Sequence, residues 1–222
     1  MNLIPLLLAV PLCGALCTAL CGKKYGRLPH YIALAAEAVT LALSAAALLS
    51  GHGLDDCALH LIGFLSFAAN GFRLVWVPLI CFAFTMSGLM CPEYLSHSHA
   101  PARYQTATLL TLTGTLGVFL SADLFTFFVF FELMSLSSWL WVIHEETDSA
   151  KYAADTYLAV AVLGGLVMLM GLFTLGVLGV PMDFTEIRFV WHDASVPQGM
   201  LYLAGGLLLF GFAAKAGLFP LH

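Results

Sequence analysis

The sequence predicts an all-α membrane protein, a polytopic helix bundle of about seven transmembrane helices whose seventh helix is broken near Pro220. Composition is the first observation behind this: 61% of the 222 residues are apolar and only 9% are charged. A soluble domain carries roughly a quarter charged residues, so this chain could not cover its surface in water. The second observation is a mean hydropathy of +0.95, reached through separate apolar runs long enough to cross a bilayer.

Seven apolar runs near the required length of about 20 residues predict the spans: 2–22, 31–50, 71–91, 104–122, 123–144, 155–179 and 198–218. The segment 59–69 is apolar but too short to cross, which predicts an interfacial segment or a small hairpin. The fourth and fifth spans are joined almost without a loop at 121–123, so they are expected to be antiparallel neighbours.

Basic residues in the short loops predict the orientation. With the N-terminus outside and the C-terminus in the cytoplasm, one side carries Lys23, Lys24, Arg27, Arg103 and Lys151, and the other carries Arg73 and Arg188. The first three follow the first span, an order that favours a retained anchor over a cleaved leader. The basic residues are scattered along the chain, so no nucleic-acid partner is expected.

Neither the cysteines nor the histidines form a pattern typical of a metal site. Cys13, Cys17 and Cys21 recur every four residues and share one helix face, which favours close helix packing over metal or redox chemistry. His97 and His99 have no third and fourth ligand nearby. Phosphate-binding loops, Rossmann fingerprints and nucleophile elbows are missing from the sequence. We therefore predict no bound metal and no catalytic residue for covalent chemistry.

Two ionisable residues lie at depth in the spans and are the principal site candidates. Glu132 follows the aromatic run FFVFF near the middle of the fifth span, and Lys215 lies toward the inner end of the seventh. A charge at the centre of a spanning helix costs about 2.5–3.5 kcal/mol on insertion scales, and such residues often mark ion pathways. A Glu132–Lys215 pair could switch its protons as it separates. The alternative is a static buried ion pair that fixes helix register.

Three further residues are auxiliary candidates for proton transfer. Glu37, within the second span, is either a second path residue or a simple hydrogen-bonding group between helices. His144 ends the fifth span and either relays protons at the inner interface or anchors the helix there. Asp123 marks the outer end of the same span.

The end of the seventh span carries a second clue, the stretch GFAAKAGLFPLH at 211–222. Pro220 opposes helix continuation, and broken helices recur at intramembrane ion sites. The alternative is a helix that ends at the interface with a snorkelling Lys215. Glycines in the last two spans, Gly164, Gly165, Gly171, Gly205 and Gly206, predict close helix packing.

The stretches SADLFTFFVFFELMSLSSWLWV (121–142) and GFAAKAGLFPLH (211–222) resemble the antiporter-like proton-translocating subunits of respiratory complex I. Related members occur in membrane-bound hydrogenases, formate hydrogenlyase and multisubunit cation/proton antiporters. The resemblance implies that Glu132 is the family's fifth-helix glutamate and Lys215 its seventh-helix lysine, a pair whose association and separation drives proton transfer. Pro220 would mark the break in the seventh helix.

The resemblance also implies a cellular role. The chain would be a membrane subunit of a redox-driven proton or sodium pump, NADH-quinone oxidoreductase-like or hydrogenase-like, in the inner membrane of a bacterium or archaeon. Redox chemistry would take place in peripheral subunits reached through other membrane subunits, so this chain would hold no cofactor. The alternatives are a non-conducting scaffold subunit and a component of a secondary cation/proton antiporter.

Family members usually have about fourteen spans, built around two inverted repeats. By the same resemblance, 1–222 is a single membrane domain in which 1–103 supplies three flanking helices and 104–222 the first half of the repeat pair. The sequence stops inside the helix-seven motif, so it is interpreted as a truncated or fragmentary member.

Overall fold

The computed structural model describes residues 3–21, 26–49, 59–61, 65–95, 100–192 and 196–218. Seven long helices account for most of them: α1 (Ile4–Cys21), α2 (Leu28–Leu49), α3 (Gly71–Tyr94), α4 (Pro101–Leu120), α5 (Leu124–Val142), α6 (Asp148–Val177) and α7 (Gln198–Ala216). Each predicted span is a helix, so the all-α prediction is confirmed. Helix α7 ends at Ala216, with Gly217 in the left-handed conformation (φ 61°) as its cap. The predicted break at Pro220 lies outside the described residues.

The segment after α2 contains the predicted small hairpin. Strands β1 (Leu59–Leu61) and β2 (Leu65–Phe67) pair antiparallel, with Leu59 opposite Phe67. A short 3₁₀ helix, Ile187–His192, lies between α6 and α7. These short elements sit on loops at one end of the bundle and leave the helical architecture intact.

Six of the seven described helices are long and apolar enough to cross a membrane by length and composition, and α4 is the exception. Helix α4 carries Gln105 and a series of threonines, which lower its hydropathy. It lies at the centre of the bundle, in contact with α1, α2, α3 and α5, and most of its residues are buried. Its threonine hydroxyls donate to carbonyls four residues earlier, as Thr111 does to Ala107 and Thr113 to Leu109 (both 2.8 Å). Because these hydroxyls donate within the helix, the threonines can be buried without leaving an unpaired hydrogen-bond donor.

The turn between α4 and α5 is held from two sides. Its Ala122 N–H donates to the carbonyl of Ser66 in β2 (2.8 Å), and its Ala122 carbonyl accepts from the Phe184 N–H (3.1 Å). Asp123 then caps α5, because its Oδ1 accepts from the N–H groups of Phe125 and Thr126 (both 2.8 Å) and its Oδ2 from the Thr126 hydroxyl (2.6 Å). The turn therefore fixes the start of α5 relative to the loops beside it.

Replacing Asp123 by Ala is expected to destabilise the protein by about 1–2 kcal/mol, because three donors at the start of α5 lose their acceptor. Asp123→Asn is the matched control, since its side-chain oxygen still accepts from the two N–H groups. Thermal unfolding in detergent, followed by helical circular dichroism, should rank the wild type and the Asn variant above the Ala variant. Equal stability of the two variants would contradict the capping role.

Two packing predictions are wrong for the part of the chain that the structure describes. Cys13 and Cys17 are exposed on the outer side of α1, so their face does not pack against another described helix. Gly205 and Gly206 face open space, and a methyl group on either would meet no described atom within 4 Å. Helical spacing correctly placed Cys13 and Cys17 on one face, but it could not say which faces the fold turns outward.

Candidate functional site

The structure brings Glu132 and Lys215 together. The Lys215 Nζ lies 3.0 Å from Glu132 Oε1, and the Lys215 and Glu132 side chains are only 9% and 20% exposed, respectively. Glu132 comes from the middle of α5, and Lys215 from the last turn of α7. A cation in the last turn of a helix also interacts favourably with the helix dipole. The two candidates therefore form an ion pair largely removed from solvent.

A glycine on α6 makes room for the Glu132 carboxylate. A Cβ atom placed on Gly165 would lie 2.7 Å from Glu132 Oε1 and 2.8 Å from Oε2. The neighbouring Gly164 allows α6 to approach α7, because a Cβ there would lie 2.7 Å from the Cβ of Ala214, next to Lys215. Gly164 therefore packs helices as predicted, whereas Gly165 faces the acid of the pair.

Two residues on α5 complete the surroundings of the Lys215 amine. The Nζ donates a hydrogen bond to Ser135 Oγ, and that hydroxyl donates to the carbonyl of Phe131 (2.9 Å). The Nζ also lies 5.1 Å from the centroid of the Phe131 ring, within cation–π range. The amine is thus held by a carboxylate, a hydroxyl and an aromatic face from a single helix.

Polar groups continue from the pair toward the end of the bundle where α7 ends. The Ser138 hydroxyl, one turn beyond Ser135 on α5, lies 2.7 Å from the hydroxyl of Tyr157 on α6. Tyr157 lines a cavity of about 460 Å³ between α6 and α7, and Lys215 also lines it. The Lys215 side chain therefore lies between a buried acid and a cavity large enough to hold water.

The auxiliary candidates lie away from this pair. Asp123 uses both carboxylate oxygens to cap α5, as described above. His144 is 4% exposed, its ring packs against Tyr104 with centroids 5.1 Å apart, and its carbonyl accepts from Arg103 Nη2 (3.0 Å). Arg103 also pairs with Glu146 at 2.5 Å. Glu37 is fully buried on α2, against Gly88 of α3.

Sequence reasoning missed Ser135, Gly165 and Tyr157. Ser135 follows Glu132 by three residues, so helical spacing alone could have put it on the same face. Gly165 was visible only as one of several glycines, and no local signal separates a glycine that faces a carboxylate from one that faces another helix. Tyr157 is a polar residue in an apolar run, a signal that does not identify its partner.

No group of three His, Cys, Asp or Glu residues suited to a metal ion occurs within the described ranges. His97 and His99 fall in 96–99, outside those ranges. That the chain holds no metal and no cofactor stays a prediction.

Gly165→Ala tests the geometry of the pair. The added methyl would overlap the Glu132 carboxylate, so either that carboxylate leaves Lys215 or α6 shifts, at a cost of about 1–3 kcal/mol. Gly205→Ala on α7 is the matched control, because its methyl would meet open space. Thermal unfolding in detergent should therefore show a lowered melting temperature for the α6 variant alone. Equal melting temperatures would contradict the close approach of Gly165 to Glu132.

The fold and the site together define a polytopic membrane protein with an acid–base pair inside its helix bundle. Residues 121–222 match the family described as "NADH:quinone oxidoreductase/Mrp antiporter, TM". This stretch is a little under half of the chain, and it carries both residues of the pair. The resemblance found in the sequence is therefore confirmed.

The similar curated proteins include a hydrogenase component and components of Na(+)/H(+) antiporters. Hydrogenase-4 component B of Escherichia coli (strain K12) is 34% identical over 98 residues, which is 44% of this chain and 14% of that protein. An Na(+)/H(+) antiporter component of Bacillus subtilis (strain 168) is 27% identical over 119 residues, 54% of this chain and 24% of that protein. The matched regions thus cover less than a quarter of these relatives' own length.

Two solved structures share the fold over the whole chain. One is an archaeal respiratory membrane complex, the membrane-bound sulfane sulfur reductase, with a TM-score of 0.89 at 19% identity, covering 46% of the matched chain. The other is the Mrp complex from Dietzia sp. DQ12-45-1b, with a TM-score of 0.76 at 22% identity, covering 42% of that chain. At these identities the likeness shows the fold alone.

Proposed function

We propose that this chain is a membrane subunit of a redox-driven ion-translocating complex and that it transfers protons through Glu132 and Lys215. One observation carries the proposal: the Lys215 amine lies 3.0 Å from the Glu132 carboxylate in a mostly buried site. Ionisable residues inside a membrane are costly and usually functional. The relative named as a hydrogenase component and the neighbour named as a respiratory complex support the redox-driven form.

The proposed transfer has two states. In the paired state Lys215 carries a proton and Glu132 is ionised, so the charges stabilise each other in a poorly hydrated site. When the pair separates, the amine loses its counter-charge and gives up its proton, and the isolated carboxylate is free to take one. Re-pairing requires the reverse, a proton taken up by Lys215 and one released by Glu132. Each cycle of separation and re-pairing therefore moves protons without covalent chemistry in this chain.

The surroundings of Lys215 suit such a change. Its side chain is at the last turn of α7, next to the Gly217 cap that ends the helix. The cavity beside Tyr157 offers space into which the amine could move when the pair separates. By the predicted orientation this cavity opens toward the cytoplasm, and the remaining subunits would complete the path across the bilayer.

A secondary cation/proton antiporter is the second candidate. The Bacillus subtilis relative is named as part of an Na(+)/H(+) antiporter, and the Dietzia neighbour is an Mrp complex. The same acid–base pair could serve in a redox-driven pump or in an antiporter, because both require a protonatable group inside the membrane. They differ in what drives the protons, electron transfer in one and a sodium gradient in the other.

Inverted membrane vesicles containing the assembled complex can separate the two functions. Proton movement is followed with a pH-sensitive fluorescent dye, first after an electron donor such as hydrogen, formate or NADH is added, and then after a sodium pulse without a donor. The redox-driven form predicts acidification that requires the donor and disappears when the gene for this chain is deleted. Acidification that depends on the gene but responds to sodium alone would support the antiporter instead. Proton movement that does not depend on the gene in either arm would support the non-conducting scaffold.

A further inference from the structure

Glu37 is a second buried acid, and its environment differs from that of Glu132. It lies on α2 and is 0% exposed. Within the described ranges, neither of its carboxylate oxygens has a hydrogen-bond partner. Its Oε2 occupies the space that a side chain at Gly88 of α3 would fill, so the carboxyl is packed directly against the backbone of that helix. An unpartnered carboxyl at such a position needs a physical explanation.

Among the residues that the structure describes, no basic side chain is placed to balance a charge on Glu37. Of the helices that contact α2, α1 carries no Lys, Arg or His, while α3 and α4 each carry a single basic residue in their first turn, Arg73 and Arg103. The first lies at the opposite end of α3 from Gly88, and the second pairs with Glu146. The other titratable side chains on these helices are cysteines, tyrosines and one exposed acid: Cys13, Cys17, Cys21, Cys81, Cys91, Tyr94, Tyr104 and Glu93. On α2 itself they are His30 and Tyr31.

The charge state of Glu37 follows from this environment. Burying an unpaired carboxylate costs far more than burying the neutral acid, so the proton stays on Glu37. Glu132, by contrast, has the Lys215 amine 3.0 Å from its Oε1. The two intramembrane glutamates therefore differ in whether a cation faces the carboxyl group.

A polar cluster lies between the level of Glu37 and the end of the bundle. Cys91 is on α3, one turn beyond Gly88, and its Sγ lies 3.2 Å from Gln105 Nε2 of α4. The same Nε2 lies 3.2 Å from His30 Nδ1, two turns before Glu37 on α2. Because this amide nitrogen is donor-only, the His30 Nδ1 accepts from it and the ring is neutral with its proton on Nε2.

The cluster opens to a cavity. His30 lines a pocket of about 330 Å³ whose wall also includes Arg27, Pro92 and Pro101. A pocket of this size with polar groups in its wall is large enough to hold water. His30 is therefore accessible from the end of the bundle, while Gln105 and Cys91 behind it are 1% and 6% exposed.

We propose that Glu37 is a proton-binding site, separate from the Glu132–Lys215 pair, that exchanges its proton with this pocket past Cys91, Gln105 and His30. The ligand is the proton itself: it leaves the Glu37 O–H, passes to an acceptor on the pocket side, and is replaced from the same side. Protonation of His30 would reverse its Nδ1 from acceptor to donor, which requires Gln105 to turn its amide oxygen toward the ring. The amide therefore couples the charge of His30 to the contact with Cys91.

Labelling of the wild-type complex with dicyclohexylcarbodiimide tests the protonated acid. This apolar reagent adds the O–H of a neutral carboxylic acid across one C=N bond to form an O-acylisourea. An acyl shift from oxygen to nitrogen then gives a stable N-acylurea with no leaving group, whereas a hydrated carboxylate reacts poorly. Peptide mass spectrometry should find the adduct on Glu37 in wild type and in Glu132→Gln, and none at this position in Glu37→Gln. Because the wild-type protein alone decides the result, misfolding of a variant cannot obscure it. No adduct on Glu37 would overturn the proposal.

Exchange is tested by infrared spectroscopy of the same complex in membranes. The carboxylic C=O band that is lost in Glu37→Gln should shift when H₂O is replaced by D₂O, without loss of helical structure. Gln105→Leu should slow that shift, and Thr106→Val, a neighbour whose hydroxyl faces Thr18 of α1 (3.0 Å), should leave it unchanged. A band that does not shift would show a static acid and overturn the proposal, and equal slowing in both α4 variants would overturn the route past Gln105. Because Glu132→Gln keeps the band, this proposal and the proposed function can fail separately.

Discussion

Glu132→Gln is expected to abolish proton translocation in the assembled complex while leaving assembly intact. The amide is the same size as the carboxyl and still fits beside Gly165, but it can neither carry a negative charge nor bind a proton. The Lys215 amine then has no counter-charge whose approach and departure could alter its affinity for a proton. Dye quenching in inverted vesicles measures translocation, and native gel electrophoresis of the solubilised complex measures assembly.

Asp148→Asn is the control for removal of an acid. Asp148 pairs with Lys151 at 3.6 Å on the exposed surface of α6, and exposed pairs of this kind contribute little. This variant should translocate protons at the wild-type rate. Unchanged translocation in the Glu132 variant, with assembly verified, would refute the role of the pair in transport.

Lys215→Met is expected to be the most destabilising of the charge substitutions, and pairing it with Glu132→Gln should restore much of the loss. The single variant leaves a mostly buried carboxylate without its cation, which costs about 3 kcal/mol unless the acid takes up a proton. The double variant has no charge left to bury. Thermal unfolding in detergent should therefore rank the wild type and the double variant above Lys215→Met.

The double variant also separates a transporter from a scaffold. In a transporter it assembles and remains stable but moves no protons, because both proton carriers are gone. In a scaffold its defect is confined to assembly, and whatever complex does assemble translocates normally. Vesicle assays normalised to the amount of assembled complex distinguish the two, and normal translocation per complex would overturn the proposed role of Lys215.

The sequence by itself determined the helices and the depth of the charged residues. Apolar runs of bilayer length predicted the seven long helices of the described residues, because a chain in lipid satisfies its backbone most simply by forming helices. The short connection at 121–123 determined that α4 and α5 are antiparallel neighbours. A Glu in the middle of one span and a Lys in another stood out because few other residues in the chain are charged at such depth.

Only the tertiary structure decided which residues meet. Helical periodicity places Ser135 on the face of Glu132, yet the contact of both with Lys215 depends on how α7 crosses α5. Nothing in the sequence distinguishes Gly165 from Gly205, but Gly165 faces the Glu132 carboxylate and Gly205 faces open space. Cys13 and Cys17 share a face as predicted, and the packing of α1 turns that face outward. Local sequence sets which side chains share a helix face, whereas the neighbour of each face is set by the packing of the whole bundle, which is a non-local property.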